Sequence, residues 1–187
     1  LEWEKFVGIK AMILNDSVKK TWPTFYEMGM CKVFIVNYES LKKFFVQDIV
    51  KNEKGKFKLS NVTFNSNINI FNSIAIDEIH KVRDPTTIMS KLVRGICAKK
   101  RVVIGLTGTP IVNKPKDLVA QLLAIGQLEA VAGNYKHFMN RYCGGMAGAG
   151  ATNLEELNYK LKTTCFFQRL KKDVLKDLPD KVHQIVY

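Results

Sequence analysis

Short apolar runs alternate with amphipathic stretches along this chain. Ile74 to Ile76 is an apolar run that leads straight into Asp77, Glu78, Ile79 and His80. This pattern predicts a buried parallel strand whose charged tip emerges at the sheet edge. Arg101 to Pro110 repeats the arrangement: Val102-Val103-Ile104 is β-branched, and Gly105-Leu106-Thr107-Gly108-Thr109-Pro110 follows, small and hydroxyl residues where a strand turns closely past something. Between the two, Asp84-Pro85 predicts an N-cap and a first-turn proline. Ile88, Met89, Leu92, Val93, Ile96 and Cys97 then share one face at helical spacing, so the helix is expected to pack on the sheet. The result is a strand, helix, strand unit.

The flanking sequence extends the alternation. Residues 1 to 10 read as the end of a helix, and Ala11 to Leu14 as an apolar run followed by the helix-entry signal Asn15-Asp16-Ser17. Trp22-Pro23 breaks or restarts a helix. Val33 to Tyr38 reads as a strand feeding a helix at Glu39 to Phe45, Lys51 to Lys58 as an exposed turn or hairpin, and Lys116 to Ile125 as a further helix. Strands alternating with helices predict an α/β fold with a parallel, doubly wound sheet. Ligands bind beyond the carboxyl ends of such strands, which assigns both polar tips to one site. Beyond Gly126 the pattern changes. Tyr135 to Tyr142 reads as helical, Gly144 to Gly150 as a flexible loop with little to bury, and Asn153 with Glu156 as a capping-box start for a helix carrying Leu154, Leu157 and Leu161. These elements predict a small helical protrusion. The tail from Arg169 to Lys181 is basic and passes through Leu178-Pro179, an exit into another segment.

Composition narrows the partners. With 187 residues, 47% of them hydrophobic, the chain can bury a substantial core. The formal charge of +12 suits a polyanion, because clustered Lys and Arg displace counterions condensed on a phosphate backbone. Cys31, Cys97, Cys143 and Cys165 lack a paired C-x-x-C spacing, which argues against zinc and against a disulfide scaffold and for a reducing, intracellular setting. No apolar run reaches membrane-spanning length, and the first residues do not resemble a signal peptide. The chain opens on Leu1 within a continuing segment, so it is expected to be an internal piece of a longer protein.

Two adjacent carboxylates at a strand end suit nucleotide hydrolysis: one holds Mg²⁺ through water while its neighbour orients or polarises the attacking water. The plainer reading is a strand that ends in polar residues at the surface. Thr107 to Pro110 is open in the same way, either coupling the site to a neighbouring domain through rearrangeable hydrogen bonds or forming a simple strand-to-helix turn. Their order, and their separation by one packed helix, favours the linked reading.

Taken together, the motifs resemble those of the Swi/Snf-type ATPases of helicase superfamily two. Asp77-Glu78-Ile79-His80 resembles the DExH box, Gly105 to Pro110 followed by Asn113 resembles motif III, Asn37-Tyr38-Glu39-Ser40-Leu41 resembles motif Ib, and Phe167 to Lys181 resembles the signature leading from the first ATPase lobe to the second. Phe138 to Cys143, the glycine-rich loop and Asn153 to Leu157 are most similar to the annealing-helicase branch and its bacterial or phage relatives. The resemblance implies a RecA-like sheet flanked by helices, an incomplete first lobe over residues 1–126, a helical protrusion over 127–168 and a basic segment over 169–187 leading towards a second RecA-like lobe. It implies ATP and Mg²⁺, with Asp77 on the metal, Glu78 activating water, His80 linking hydrolysis to Thr107 and Thr109, and Asp77, Glu78, Thr107, Gly108 and Thr109 together holding the nucleotide. Tyr38, Ser40, Asn113, Arg169 and Lys171 would face the backbone of double-stranded or branched DNA or the junction between lobes. The expected setting is cytoplasmic, bacterial or phage, rather than nuclear or membrane-bound. The chain departs from the family at Ile79, usually Ala or Gly, and at Gln168, often Arg. It also has no Gly-x-x-x-x-Gly-Lys-Thr phosphate loop. The chain by itself is therefore expected to be inactive. The rival expectations are a non-catalytic DNA- or protein-binding module and a DExH-type RNA helicase.

Overall fold

The computed structural model describes residues 2–169, so the tail from Leu170 onwards, Lys171 included, lies outside the described residues. Helix α1 (Glu2–Val7) precedes strand β1 (Ala11–Ile13). Asn15 caps a single tight turn at Asp16–Val18, and α2 (Trp22–Glu27) begins at the Trp22-Pro23 step, because proline fits the first turn of a helix. Strand β2 (Val33–Ile35) lies parallel to β1, with Met12 opposite Phe34. A turn at Tyr38–Ser40 leads to α3 (Leu41–Phe45), which runs directly into β3 (Val46–Ile49). Strand β4 (Val62–Phe64) returns antiparallel to β3, so the Lys51 to Lys58 stretch is a hairpin connection. Phe57 within it turns inward, with the Lys91 ammonium 4.7 Å from its ring centre. Strand β5 (Ser73–Ile76), helix α4 (Ile88–Cys97) and strand β6 (Val102–Gly105) form the expected parallel crossover, with Ile76 opposite Gly105. Helices α5 (Asp117–Ala124), α6 (Leu128–Ala132), α7 (Tyr135–Tyr142) and α8 (Leu154–Thr164) complete the described chain.

Two apolar clusters hold these elements. The first gathers Leu14, Trp22, Phe44, Phe45, Ile76, Ile79, Leu92, Val93 and Ile96 between the strands and α3, α4 and α5. Trp22 is its anchor: it stacks on Phe71 at 5.7 Å and meets the edges of Phe34 and Phe45, contacts that contribute about 0.5–1.5 kcal/mol each beyond the area they bury. The second cluster gathers Leu118, Val119, Leu122, Val131, Phe138, Met139, Tyr142 and Leu157. Helix α5 serves both, giving Ala120 and Ala124 to the first and Leu118, Val119 and Leu122 to the second.

The structure corrects several expectations. Among the described residues the strands pair in three two-stranded ladders, of which β1–β2 and β5–β6 are parallel as the α/β reading expects. Each parallel pair buries one face: Met12, Phe34, Ile74 and Val103 face the core, while Ile13, Ile35 and Ile104 remain 51%, 45% and 51% exposed. Among the described residues no helix covers that second face, so a run of β-branched residues does not here mean burial on both sides. Helix α4 is capped by Thr87, whose hydroxyl accepts from the Ser90 N–H, while Asp84 closes its own turn on Thr86; Ile88, just inside the cap, is exposed. No capping box forms at α8. Asn153 adopts a left-handed conformation and donates to the Arg141 carbonyl, and Glu156 instead receives the Arg141 guanidinium, the Lys160 ammonium and the Tyr142 hydroxyl.

The glycine-rich segment is a closed loop and not a slack one. Gly150 donates to the Cys143 carbonyl and Gly145 to that of Met139. Gly148 has positive φ, and a Cβ there would meet Lys116 at 2.5 Å and Met139 at 2.9 Å. Its φ of +67° is what calls for glycine here, since the Lys116 and Met139 side chains can shift.

Two outcomes follow from this packing. A Cβ at Gly95 would lie 2.2 Å from Phe64 Cζ, so Gly95→Ala is expected to destabilise by about 1–2 kcal/mol despite the better helix propensity of alanine. Chemical denaturation measures this, and equal or greater stability would mean that the Phe64 ring swings aside. The Arg141, Tyr142 and Lys160 partners hold the Glu156 carboxyl down at about 2. Its stabilising contribution is therefore present above the ordinary carboxylate range and is lost as pH falls towards about 2. Glu156→Gln is expected to lower the melting midpoint at neutral pH, with the gap from wild type closing on acidification; a pH-independent gap would refute this.

Candidate active site at the strand tips

Strand β5 ends at Ile76 and β6 at Gly105, and the ladder continues past both ends. Leu106 N–H donates to the Ile76 carbonyl at 2.8 Å, and Ile79 N–H donates to the Leu106 carbonyl at 3.0 Å. These bonds set the Asp77–His80 turn beside the Leu106–Pro110 loop. Ile79 is buried and its side chain lies over Gly105, where a Cβ would come within 2.6 Å of Ile79 Cδ1. The bulky residue at position 79 thus packs the turn onto the β6 end.

Asp77 and Glu78 are exposed at the tip. Glu78 has φ 49° and ψ 49°, a left-handed conformation that costs a non-glycine residue about 1–2 kcal/mol. Such a residue persists where its surroundings over-determine it. Here Asp77 Oδ1 accepts the Glu78 N–H at 3.0 Å, Ile79 is tied to Leu106, and the Tyr38 hydroxyl donates to the Asp77 carbonyl at 2.7 Å. Burial, with the Asp77 and Glu78 carboxylates nearby, pushes the Tyr38 hydroxyl up to about 12, which keeps it a donor.

His80 joins the two tips. Its Nδ1 lies 3.0 Å from Glu78 Oε2 and 2.9 Å from Thr107 Oγ1. With a proton on Nδ1 the ring donates to the carboxylate; without one it accepts the threonine hydroxyl. Thr107 Oγ1 also accepts the Thr109 N–H at 3.1 Å, so the loop follows the same network. The two exposed carboxylates are hard oxygen donors. Among the described residues no group of three or more side chains forms a metal cage. This donor set fits Mg²⁺, which takes one or two carboxylates and completes its shell with phosphate oxygens and water.

Of the residues singled out from sequence, Asp77, Glu78, His80, Thr107, Thr109 and Tyr38 are brought together by direct hydrogen bonds, and Gly108 lies exposed within the same loop. Ser40 lies elsewhere, in a groove of about 550 Å³ beyond the carboxyl ends of β1 and β2, with Leu14, Asn15, Ser17 and Asn37. Asn113 sits further along the Thr109 loop, its N–H donating to the Asp117 carboxylate at 2.9 Å. Arg169 lies past α8, its guanidinium 5.3 Å from the Phe167 ring centre. Sequence reasoning missed Gln121. Buried within α5, it donates to the Pro110 carbonyl at 2.7 Å and pins the loop to the helix. An amide amid the apolar positions of a predicted helix was the available signal.

A family model described as the SNF2-related domain matches residues 2–187. The chain belongs to that family. Among curated proteins it is 32% identical over 161 residues to the SWI/SNF-related matrix-associated actin-dependent regulator of chromatin subfamily A-like protein 1 homolog of Caenorhabditis elegans, covering 83% of this chain and 20% of that protein. It is 32% identical over 124 residues to the mouse DNA annealing helicase and endonuclease ZRANB3, covering 61% of this chain and 11% of that protein. The chain therefore spans a fifth or less of these relatives. Among solved structures, the Sulfolobus solfataricus SWI2/SNF2 ATPase core in complex with dsDNA matches 95% of this chain and 38% of its own, with TM-score 0.51 and 22% identity. The SNF2-related domain here thus has the α/β fold of part of such a core, as the RecA-like expectation requires.

Proposed function

We propose that the intact protein is an ATP-dependent translocase on double-stranded or branched DNA and that this SNF2-related chain supplies the hydrolytic carboxylates of its nucleotide site. The carrying observation is the network from Glu78 through His80 to Thr107 at the carboxyl ends of two parallel strands. Support also comes from the relatives, one of them a DNA annealing helicase, and from the structural neighbour, an ATPase core in complex with dsDNA. Bound Mg²⁺ would offset the charge that develops on the transferred phosphoryl group. Asp77 holds that ion, Glu78 orients and polarises the attacking water, and His80 reports the state of Glu78 to Thr107 and Thr109. Ser40, Asn113, Arg169 and Lys171 would serve the DNA backbone or the junction with the second lobe. That grip rests on charge, and binding is correspondingly salt-dependent and tolerant of sequence. We assign residues 1–126 to the C-terminal part of the first lobe, 127–168 to the protrusion and 169–187 to the segment leading towards the second lobe. The free cysteines fit an intracellular setting.

A non-catalytic binding module is the second reading: an intact Gly-x-x-x-x-Gly-Lys-Thr loop elsewhere in the intact protein favours the enzyme, and a degraded one favours the module. Hydrolysis assays on the intact protein separate the two. DNA-stimulated turnover is expected, and Glu78→Gln is expected to reduce it by at least about a hundredfold while sparing nucleotide binding. Undiminished hydrolysis in that variant would remove the role given to Glu78, and a folded wild type inert with every nucleic acid would favour the module. The isolated chain is expected to show no significant turnover. Sustained hydrolysis by it, abolished by Asp77→Ala, would refute that expectation.

A further inference from the structure

Tyr38 stands in the turn that follows β2, and 39 positions separate it from the residue it bonds, Asp77. Its ring packs against the first apolar cluster, and the Lys81 ammonium lies 5.8 Å from the ring centre on the far side of the Asp77–His80 turn. Its hydroxyl meets a main-chain carbonyl, not a side chain. That carbonyl belongs to the peptide unit joining Asp77 to Glu78, so the bond restrains the rotation that sets the left-handed φ of Glu78. Asn37 and Ser40, on either side of Tyr38, line the groove beyond β1 and β2. One short turn therefore touches the groove and the main chain of the carboxylate-bearing turn at once.

We infer that Tyr38 is a positioning residue for hydrolysis: its hydroxyl fixes the Asp77–Glu78 peptide, aims the Glu78 carboxylate, and makes the groove-lining turn and the hydrolytic turn one mechanical unit. The inference rests on the ATPase reading above. It gives Tyr38 a role distinct from a contact to the DNA backbone, since the hydroxyl that would reach a phosphate already donates to Asp77.

Tyr38→Phe in the intact protein tests this, because phenylalanine keeps the ring and removes the bond. At saturating DNA, kcat is expected to fall about five- to tenfold, with KM for ATP and the DNA concentration for half-stimulation each within about twofold of wild type. Amide hydrogen exchange is expected to speed up at residues 78–81 and to stay unchanged in β1 and β2. A variant with normal kcat but weakened, more salt-sensitive DNA activation would make Tyr38 a DNA contact and overturn the inference. Exchange that is unchanged at residues 78–81, or faster throughout the sheet, would also overturn it. If wild-type protein and Glu78→Gln are both inert, the ATPase reading and the kinetic half of the inference fail together, and exchange at residues 78–81 still decides whether the tether exists.

Discussion

Everything at the candidate site depends on Leu106 bonding twice to the neighbouring segment. Its N–H reaches the Ile76 carbonyl and its carbonyl receives the Ile79 N–H. Parallel ladders leave evenly spaced, slanted bonds, and this pair extends the β5–β6 ladder by one step beyond the regular strands. Asp77 and Glu78, which lie between the two bonded positions, are looped out. Their carboxylates thereby reach solvent while Ile76 and Ile79 stay in the core. Glu78 completes the loop in a left-handed conformation. The strain is local, and the buried anchors on either side sustain it.

The strand, helix, strand unit around this loop was legible in the sequence because its signals are local. An apolar run ending in charge, an amphipathic stretch at helical spacing and a second run ending in Gly and Thr each report their own environment. Pairing Asp77–His80 with Thr107–Pro110 needed one topological rule, that parallel crossovers bring both strand ends to the same edge. The His80 link to Thr107 came from family resemblance, and the structure gives it a geometry.

Other features depend on partners distant in sequence, which local signals do not name. Asn153 and Glu156 have the spacing of a capping box, but the loop after Cys143 brings Arg141 within reach, and a charged partner outcompetes a backbone N–H for the carboxylate. Asp84 has the composition of a cap, yet Thr87 takes the position because Asp84 is already committed to Thr86. The glycines from Gly144 to Gly150 look slack in composition, whereas the Gly144 and Gly150 backbones close on each other, a Cβ on either coming within 3.1–3.2 Å of the other's Cα. Tyr38 and Gln121 show the same limit. Each reaches a main-chain carbonyl distant in sequence, of Asp77 and Pro110, and no periodicity names that partner.

Helix α5 has a consequence for how this region can be divided. It contributes to both apolar clusters, holds the Pro110 carbonyl through Gln121, and receives the Asn113 N–H on Asp117. A cut on either side of it would leave one core with a missing wall. Helices α6 to α8 are therefore no detachable appendage but share a structural beam with the strands. An insertion within the eight residues of α5 would disturb both clusters at once.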